Sequence, residues 1–135
     1  MLKLIKATFL GLIAMAFTAS SYADITFVSW GGAYTASQQK AYVDTYLGLN
    51  PDAKITVESY NGGLGEIKAQ VEAGNVTWDV VDVLPDQAIT GCDEGLFAKV
   101  DQSEFINDMV VPPVSDCVVP QIFWAYTVFY SKAAF

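Results

Sequence analysis

Short β-branched runs alternate with helix-like segments along most of the chain that follows residue 23. The predicted strands cover residues 25–29, 55–60 and 80–84, and a helical pattern follows each of them. This alternation is typical of α/β proteins, because each helical crossover returns the chain to a parallel strand and covers one face of the sheet. We therefore predict an α/β fold built on a parallel sheet with flanking helices.

The three predicted helices follow turns that contain glycine or proline. They cover about residues 35–47, 64–73 and 85–91. Thr35 lies three residues before Gln38, which is the spacing of a capping box. Pro85 suits the first turn of the third helix. We expect the first helix to begin at Thr35.

The segment after Cys92 has a less regular pattern. Its most apolar part is the aromatic run at residues 122–130, with the sequence IFWAYTVFY. Large apolar side chains in such a density are normally buried. We predict that this run is a core strand or that it packs against a partner outside this sequence.

The first 23 residues have the composition of a secretory signal peptide. Two lysines precede an uncharged, mostly apolar stretch of 13 residues, and Ser21 and Ala23 are the small residues that a signal peptidase requires. A membrane anchor is the alternative, but a spanning helix needs about 20 apolar residues. We predict cleavage after Ala23, so that residues 24–135 form the mature domain.

The charge of the mature domain excludes one class of partner. The whole chain has a net charge of −8, and loss of the two leader lysines leaves five lysines against 15 acidic residues, or about −10. Nucleic acids require clusters of Lys and Arg, so no nucleic-acid partner is predicted. An acidic surface attracts cationic ligands over a long range, although it is also explained by solubility alone.

Two cysteines, Cys92 and Cys117, follow the predicted cleavage site. A secreted protein favours a disulfide between them. A metal site is the competing interpretation, but the chain has no histidine and no third cysteine to complete it. We predict a Cys92–Cys117 disulfide and no bound metal.

The sequence contains little evidence of catalytic or cofactor-binding motifs. Without histidine, neither a Ser-His-Asp nor a Cys-His arrangement can be formed from these residues. The glycines at 63 and 65 follow a strand, but Lys68 stands where a dinucleotide fingerprint requires its third glycine. We therefore predict no cofactor and no enzymatic activity, and a secreted hydrolase domain remains the alternative of another class.

Two loops should meet at one edge of the sheet. In open parallel sheets, ligands bind beyond the carboxyl ends of the strands, where the strand order reverses. A 2-1-3 strand order would make the loops after the first and third strands neighbours. The candidate ligand-binding residues in these loops are Trp30, Gly31, Gly32, Tyr34, Asp82 and Asp86.

Each of these residue types has a physical reason to bind a ligand. Glycines let backbone N–H groups approach a ligand closely, and the faces of Trp30 and Tyr34 attract ammonium groups. A carboxylate such as Asp82 inside an apolar strand needs a partner, either an ammonium ion or the N-terminus of a helix. The alternative for Trp30 is a place in the core, with glycines that only turn the chain.

Several motifs, in the correct order, resemble those of the spermidine/putrescine-type extracellular solute-binding proteins of ABC transporters. They are residues 28–34 (VSWGGAY), 67–82 (IKAQVEAGNVTWDVVD) and 91–96 (GCDEGL), together with Asp116-Cys117 and Phe123-Trp124. The resemblance implies a two-lobed, type II periplasmic-binding-protein-like fold, of which residues 24–135 are the first part of the N-terminal lobe. It also implies a monomer in the periplasm that delivers its solute to an ABC transporter permease in the inner membrane.

The resemblance implies a small organic solute as ligand, with the polyamines putrescine and spermidine the first choice. Trp30 and Tyr34 would hold the methylene chain, and Asp82 or Asp86 would meet an ammonium end. An amino acid, a betaine or an iron complex is the alternative, because Gly31-Gly32, Leu84 and Asp86 depart from the motifs of polyamine binders. Residues 24–135 alone are expected to aggregate or to bind solute very weakly.

Overall fold

The computed structural model describes residues 24–134, and the predicted signal peptide lies outside this part of the chain. A parallel three-stranded sheet is formed by β1 (Asp24–Ser29), β2 (Lys54–Ser59) and β3 (Val80–Val81), in the order β2-β1-β3. The α/β class and the parallel sheet are thereby confirmed, and the strand order is the 2-1-3 order under which the loops after the first and third strands are neighbours.

Four helices flank these strands. They are α1 (Gly32–Gln38), α2 (Asp44–Leu49), α3 (Gly65–Glu72) and α4 (Pro85–Asp93). A π-helical turn at Gln39–Val43 joins α1 to α2, so the first predicted helix is a continuous helical segment of three parts. Further along the chain, short 3₁₀ turns cover Ile106–Asp108 and Lys132–Ala134.

The capping box predicted at Thr35 is wrong, because α1 begins three residues earlier. Gly31 precedes the helix with φ +86°, a conformation that residues with a Cβ rarely adopt. The Thr35 hydroxyl accepts a hydrogen bond from the Gly31 N–H at 2.7 Å. Gln38 is consequently free of any capping role, and its side chain is only 3% exposed.

The core lies at the carboxyl end of β1, the central strand. Val28 and Ser29 are completely buried there. Val43 from the π turn, Ile67 from α3 and Ala88 from α4 are also buried, so the helices cover the sheet with small and aliphatic side chains. This arrangement leaves the loops after β1 and β3 side by side.

β3 is shorter than the strand predicted at residues 80–84. Its backbone pairing continues for one residue, because the Asp82 N–H donates to the Val28 carbonyl at 2.9 Å. Asp79, at the amino end of β3, accepts a hydrogen bond from the Thr26 N–H at 2.7 Å. Asp79 thus ties β3 to β1 at the edge opposite the loops.

The predicted disulfide is present and connects α4 to the segment that follows it. Cys92 and Cys117 are bonded, with their Cα atoms 5.8 Å apart and 25 positions apart in sequence. The Val100 N–H also donates to the Asp116 carbonyl at 2.8 Å, in the same loop. Among residues 24–134, the structure contains no helix with the length and hydrophobicity of a membrane span.

The aromatic run at residues 122–130 forms no strand. Phe123, Tyr126 and Phe129 are 69%, 90% and 87% exposed. The prediction of a core strand is therefore wrong for this chain, because the sheet formed by the described residues ends at β3 and does not reach the run. Burial against a partner outside this sequence stays a prediction.

Candidate functional site

The loops after β1 and β3 meet at the carboxyl edge of the sheet, as the sequence predicted. The Tyr60 N–H donates to the Ser29 carbonyl at 2.9 Å, just beyond the end of β2. The Tyr60 hydroxyl then donates to the backbone carbonyl of Asp82 at 2.6 Å. Tyr60 thereby connects the ends of all three strands and holds the backbone at Asp82 in place relative to β1 and β2.

The Asp82 carboxylate is held from one side. Its Oδ2 accepts a hydrogen bond from the Tyr34 hydroxyl at 2.6 Å and one from Gln38 Nε2 at 2.9 Å. Its Oδ1 accepts no hydrogen bond from any residue between 24 and 134. Because its partners are side chains of α1, Asp82 does not cap a helix N-terminus, which was the alternative role for this residue.

The inner partner of Gln38 is Ser29, at the buried end of β1. The Ser29 hydroxyl donates to Gln38 Oε1 in a short hydrogen bond. Both side chains are buried, and every buried side-chain polar atom among the described residues has a partner. Asp82 is therefore connected through Gln38 to the buried end of the central strand.

The outer partner of these groups is Gln121. Its Nε2 donates to the Tyr34 hydroxyl at 2.7 Å, and its Oε1 accepts from the Tyr42 hydroxyl at 3.0 Å. A longer hydrogen bond of 3.3 Å joins Gln38 Nε2 to Gln121 Oε1. We call the six residues of this hydrogen-bonded set the Asp82 network: Ser29, Tyr34, Gln38, Tyr42, Asp82 and Gln121.

Trp30 lies beside the Asp82 network, in a row of three aromatic rings. Its ring centroid is 5.4 Å from that of Tyr60, which is in turn 5.6 Å from that of Trp78. A Cβ at Gly62 would overlap the Trp30 ring, so only glycine at this position leaves room for the ring. Trp30 is half-buried and therefore packs on its neighbours while keeping part of its surface accessible.

A cleft of about 1190 Å³, lined mostly by apolar side chains, extends from Asp79 at the amino end of β3 to the loops at the carboxyl edge of the sheet. Of the residues predicted to bind ligand, Trp30, Tyr34 and Asp82 line it. Gln121 and Trp124 contribute to its wall as well. Apolar clefts with few convergent polar groups are the usual form of a small-molecule site.

Gly31, Gly32 and Asp86 do not line this cleft. The Gly31 N–H is already bonded to Thr35, which leaves one backbone donor fewer for a ligand. Asp86 is exposed in the first turn of α4, where a negative charge is favourable beside the helix N-terminus. The ligand-binding role of these three residues stays a prediction.

The two tyrosines that contact Asp82 have altered acidity. Burial, followed by the hydrogen bond to Asp82, raises the pKa of Tyr34 well above its ordinary value. Burial, followed by the charge of Asp82, raises the pKa of Tyr60 from 10.0 to about 12. Both phenols are therefore neutral hydrogen-bond donors throughout the physiological range.

We expect Tyr60 to titrate late and to make the fold sensitive to alkali. Because the folded protein keeps its proton to a higher pH than the unfolded chain, its stabilising contribution is complete below pH 10 and is lost as pH rises toward 12. Ultraviolet titration of tyrosinate should show a late component that is smaller in Tyr60→Phe. An unchanged late component in this variant would contradict the assignment.

The described residues offer no assembled metal site. The only cluster with metal-ligand geometry among them comprises Cys92, Asp116 and Cys117. The two sulfurs are joined in the disulfide, so neither is a thiolate that could bind an ion.

Sequence reasoning missed four members of the site: Ser29, Gln38, Tyr42 and Gln121. Gln38 was assigned to a helix cap, and Gln121 lies 83 positions further along the chain. No sequence signal identified Gln38, whose inward orientation is evident only from its burial in α1. No local pattern distinguishes Gln121.

Comparison with known proteins settles the family. Residues 41–135 match the model of the bacterial extracellular solute-binding protein family. The chain belongs to this family. The membership is broader than the spermidine/putrescine type that the motifs suggested, and it is a family of binding proteins and not of enzymes. The hydrolase alternative therefore has no support.

Individual relatives agree with this assignment. The chain is 34% identical over 128 residues to the gamma-aminobutyric acid-binding protein of Pseudomonas aeruginosa, an alignment that covers 91% of this chain and 36% of the relative. The chain thus spans about a third of the length of the curated relative that it matches.

Two solved structures have the same fold over the shared region. An ABC transporter substrate-binding protein from Bradyrhizobium japonicum USDA 110 is 38% identical with a TM-score of 0.59, covering 67% of this chain and 28% of that one. The Atu4243-GABA receptor is 36% identical with a TM-score of 0.54, covering 60% of this chain and 25% of that one. Both support the predicted periplasmic-binding-protein-like class.

Proposed function

We propose that the protein is the periplasmic substrate-binding component of an ABC importer, and that its ligand is a small solute with an ammonium group, of the γ-aminobutyrate class. The observation that supports the ammonium group most directly is the Asp82 carboxylate, bonded through Oδ2 and open at Oδ1. The relatives named for γ-aminobutyrate support the class of solute.

The chemistry of the cleft suits one ammonium end. Asp82 supplies a negative charge, and a charged hydrogen bond to an ammonium group is stronger than a neutral one. Trp30 lines the same cleft and can add a cation–π contact. No Lys or Arg lines the cleft among the described residues, so nothing there repels a cation.

The carboxylate end of such a ligand requires a different partner. The chain contains no Arg, the residue that usually binds a carboxylate with two hydrogen bonds. We place this second contact in a companion lobe. That lobe would bind the carboxylate end of the solute, while residues 24–135 bind its ammonium end. The length of the relatives, of which this chain spans about a third, supports a protein with such a lobe.

Binding would then work by closure of two lobes around the solute. A ligand that contacts both lobes stabilises only the closed arrangement and shifts the population toward it. The closed form would deliver the solute to the permease in the inner membrane. No bond of the solute is changed in this cycle, and the protein would act as a monomer.

A polyamine is the second candidate ligand, favoured by the acidity of the chain. The predicted mature domain has a charge of about −10, and exposed Asp86 follows β3 close to Asp82 in sequence. Two carboxylates could bind the two ends of a diamine. The distinction between the candidates is therefore whether a ligand carboxylate contributes to binding.

Three four-carbon solutes test both candidates in the complete mature protein. γ-Aminobutyrate has both charged ends, putrescine has only ammonium ends, and butyrate has only the carboxylate. We expect γ-aminobutyrate to raise the unfolding temperature, since a ligand at 100 times its Kd stabilises the folded state by about 2.7 kcal/mol. Butyrate should have little effect, and calorimetry would provide the affinities.

The alternative outcomes are distinct. A shift with putrescine and spermidine that exceeds the shift with γ-aminobutyrate would favour the polyamine candidate. Equal shifts with butyrate and γ-aminobutyrate would refute an ammonium site. A response only to a betaine or an iron complex would show that the import role holds for another solute.

A further inference from the structure

We propose that Gln38 is a positioning residue that holds the Asp82 carboxylate turned so that Oδ1 stays open to the cleft. Gln38 is 3% exposed and does not line the cleft, so it acts on a ligand only through Asp82. This inference rests on the proposed function where it concerns ligand affinity. Its structural part, the pairing of Gln38 with Asp82, is independent of the ligand.

The hydrogen bonds leave the Gln38 amide a single orientation. An ionised carboxylate only accepts hydrogen bonds, so the group that faces Asp82 Oδ2 at 2.9 Å must be the Gln38 NH₂. Its Oε1 then faces Ser29, whose hydroxyl donates to it. Because Ser29 is completely buried on the central strand, the amide cannot rotate without leaving a buried polar group unpaired.

Tyr34 adds a second donor to the same carboxylate oxygen. Its hydroxyl is in turn held by Gln121, which donates to it at 2.7 Å. Two donors on Oδ2 fix the orientation of the Asp82 carboxylate and leave Oδ1 to a cation. Of the two, only Gln38 lies entirely outside the cleft wall, which makes it the residue that separates positioning from direct contact.

Gln38→Glu tests the pairing because it replaces the donor by an acceptor of the same shape. Two carboxylates in hydrogen-bond contact share one proton, and their second ionisation is strongly opposed. At a pH below this second ionisation, the shared proton forms a hydrogen bond between the two carboxyl groups, in place of the one that the Gln38 amide makes. The other titratable groups in contact with Asp82 are the phenols of Tyr34 and Tyr60, whose raised pKa values keep them protonated between pH 5 and 8.

We therefore expect a variant whose defect grows with pH. Compared with the wild type, Gln38→Glu should lose little stability near pH 5 and about 5 °C or more of its unfolding temperature near pH 8. Gln38→Met, which removes the donor and adds no charge, should bind γ-aminobutyrate about tenfold or more weakly than the wild type near pH 8. Gln87→Glu is the matched control, since Gln87 offers an oxygen to the Leu84 N–H that a glutamate also provides.

The double variant Gln38→Glu, Asp82→Asn exchanges the amide and the carboxylate. The amide introduced at position 82 can donate to the carboxylate introduced at position 38, so the pair is restored with its polarity reversed. We expect the exchange to recover part of the stability lost near pH 8, because the Tyr34 hydroxyl would then face an NH₂ in place of its acceptor, and we expect no recovery of ammonium binding. A residue with only a packing role would show neither the pH dependence nor this separation of stability from affinity.

Two results would overturn the proposal. If Gln38→Glu has the same pH profile of stability as the wild type, then Gln38 does not pair with Asp82. If Gln38→Met binds γ-aminobutyrate with the wild-type affinity near pH 8, then Gln38 does not position the carboxylate for a ligand. Failure of the wild type to bind any of the solutes would instead refute the proposed function, and the ligand-free stability profiles would still decide the pairing.

Discussion

Replacement of Asp82 by asparagine should lower the affinity for an ammonium-bearing solute by roughly 10- to 150-fold. The range corresponds to the loss of a hydrogen bond to a charged group, which is worth about 1.5–3 kcal/mol. Asparagine keeps the shape of the side chain, and its oxygen can still accept from Tyr34 and Gln38. Its NH₂ would then lie where the ligand needs an acceptor, so the loss should appear in binding more than in folding.

Two further variants make this result specific. Asp86→Asn removes the other carboxylate predicted to meet the ammonium, and Asp52→Asn removes an exposed charge from the turn before β2, at the amino edge of the sheet. Isothermal calorimetry at one ionic strength should show a large loss for Asp82→Asn and little change for Asp52→Asn. A loss confined to Asp86→Asn would move the ammonium site to α4 and contradict the proposed role of Asp82.

Removal of the disulfide should lower the free energy of unfolding by about 3.5 kcal/mol. The Cys92–Cys117 bond closes a loop of 25 residues, and this value follows from the chain entropy that such a loop loses in the unfolded state. Folded domains are stable by only about 5–15 kcal/mol, so the loss is a large share of the total. The double variant Cys92→Ser, Cys117→Ser should therefore unfold at a much lower denaturant concentration.

The reducing agent provides the control for this second result. It should destabilise the wild type and leave the double serine variant unchanged. Since Gln121 lies four residues after Cys117, weaker ligand binding should accompany the loss, because the loop that presents Gln121 to Tyr34 is no longer anchored to α4. Equal unfolding free energies of wild type and double variant would contradict the stabilising role of the bond.

Most of the fold could be predicted because each piece of evidence is local. The apolar runs at residues 25–29 and 55–60 became β1 and β2 with shifts of one residue at their ends, and α4 begins at the predicted Pro85. The strand predicted at residues 80–84 was too long, because the backbone leaves the sheet after Asp82 to place Pro85 at the start of α4. The predicted capping box failed because a glycine with positive φ began the helix earlier.

The candidate site could be predicted only in part. The sequence indicated that Trp30, Tyr34 and Asp82 lie together, because they stand at the carboxyl ends of parallel strands, and all three line the cleft. The prediction of a core strand at residues 122–130 was wrong. The composition of this aromatic run predicts burial, but no strand of the described sheet reaches it. Polyamine specificity followed from a motif resemblance, whereas the relatives indicate a broader family with γ-aminobutyrate binders.

By itself, the amino-acid sequence determined the order of strands and helices, the edge at which the loops meet and the pairing of the two cysteines. These follow from hydrophobic period, turn residues and composition, which act over a few neighbouring positions. Only the tertiary structure decided that Gln38 turns inward to bridge Ser29 and Asp82, and that Gln121 joins them from a distant loop. Such contacts depend on how whole elements pack, since hydrogen bonds between residues more than 40 positions apart leave no local pattern in the chain.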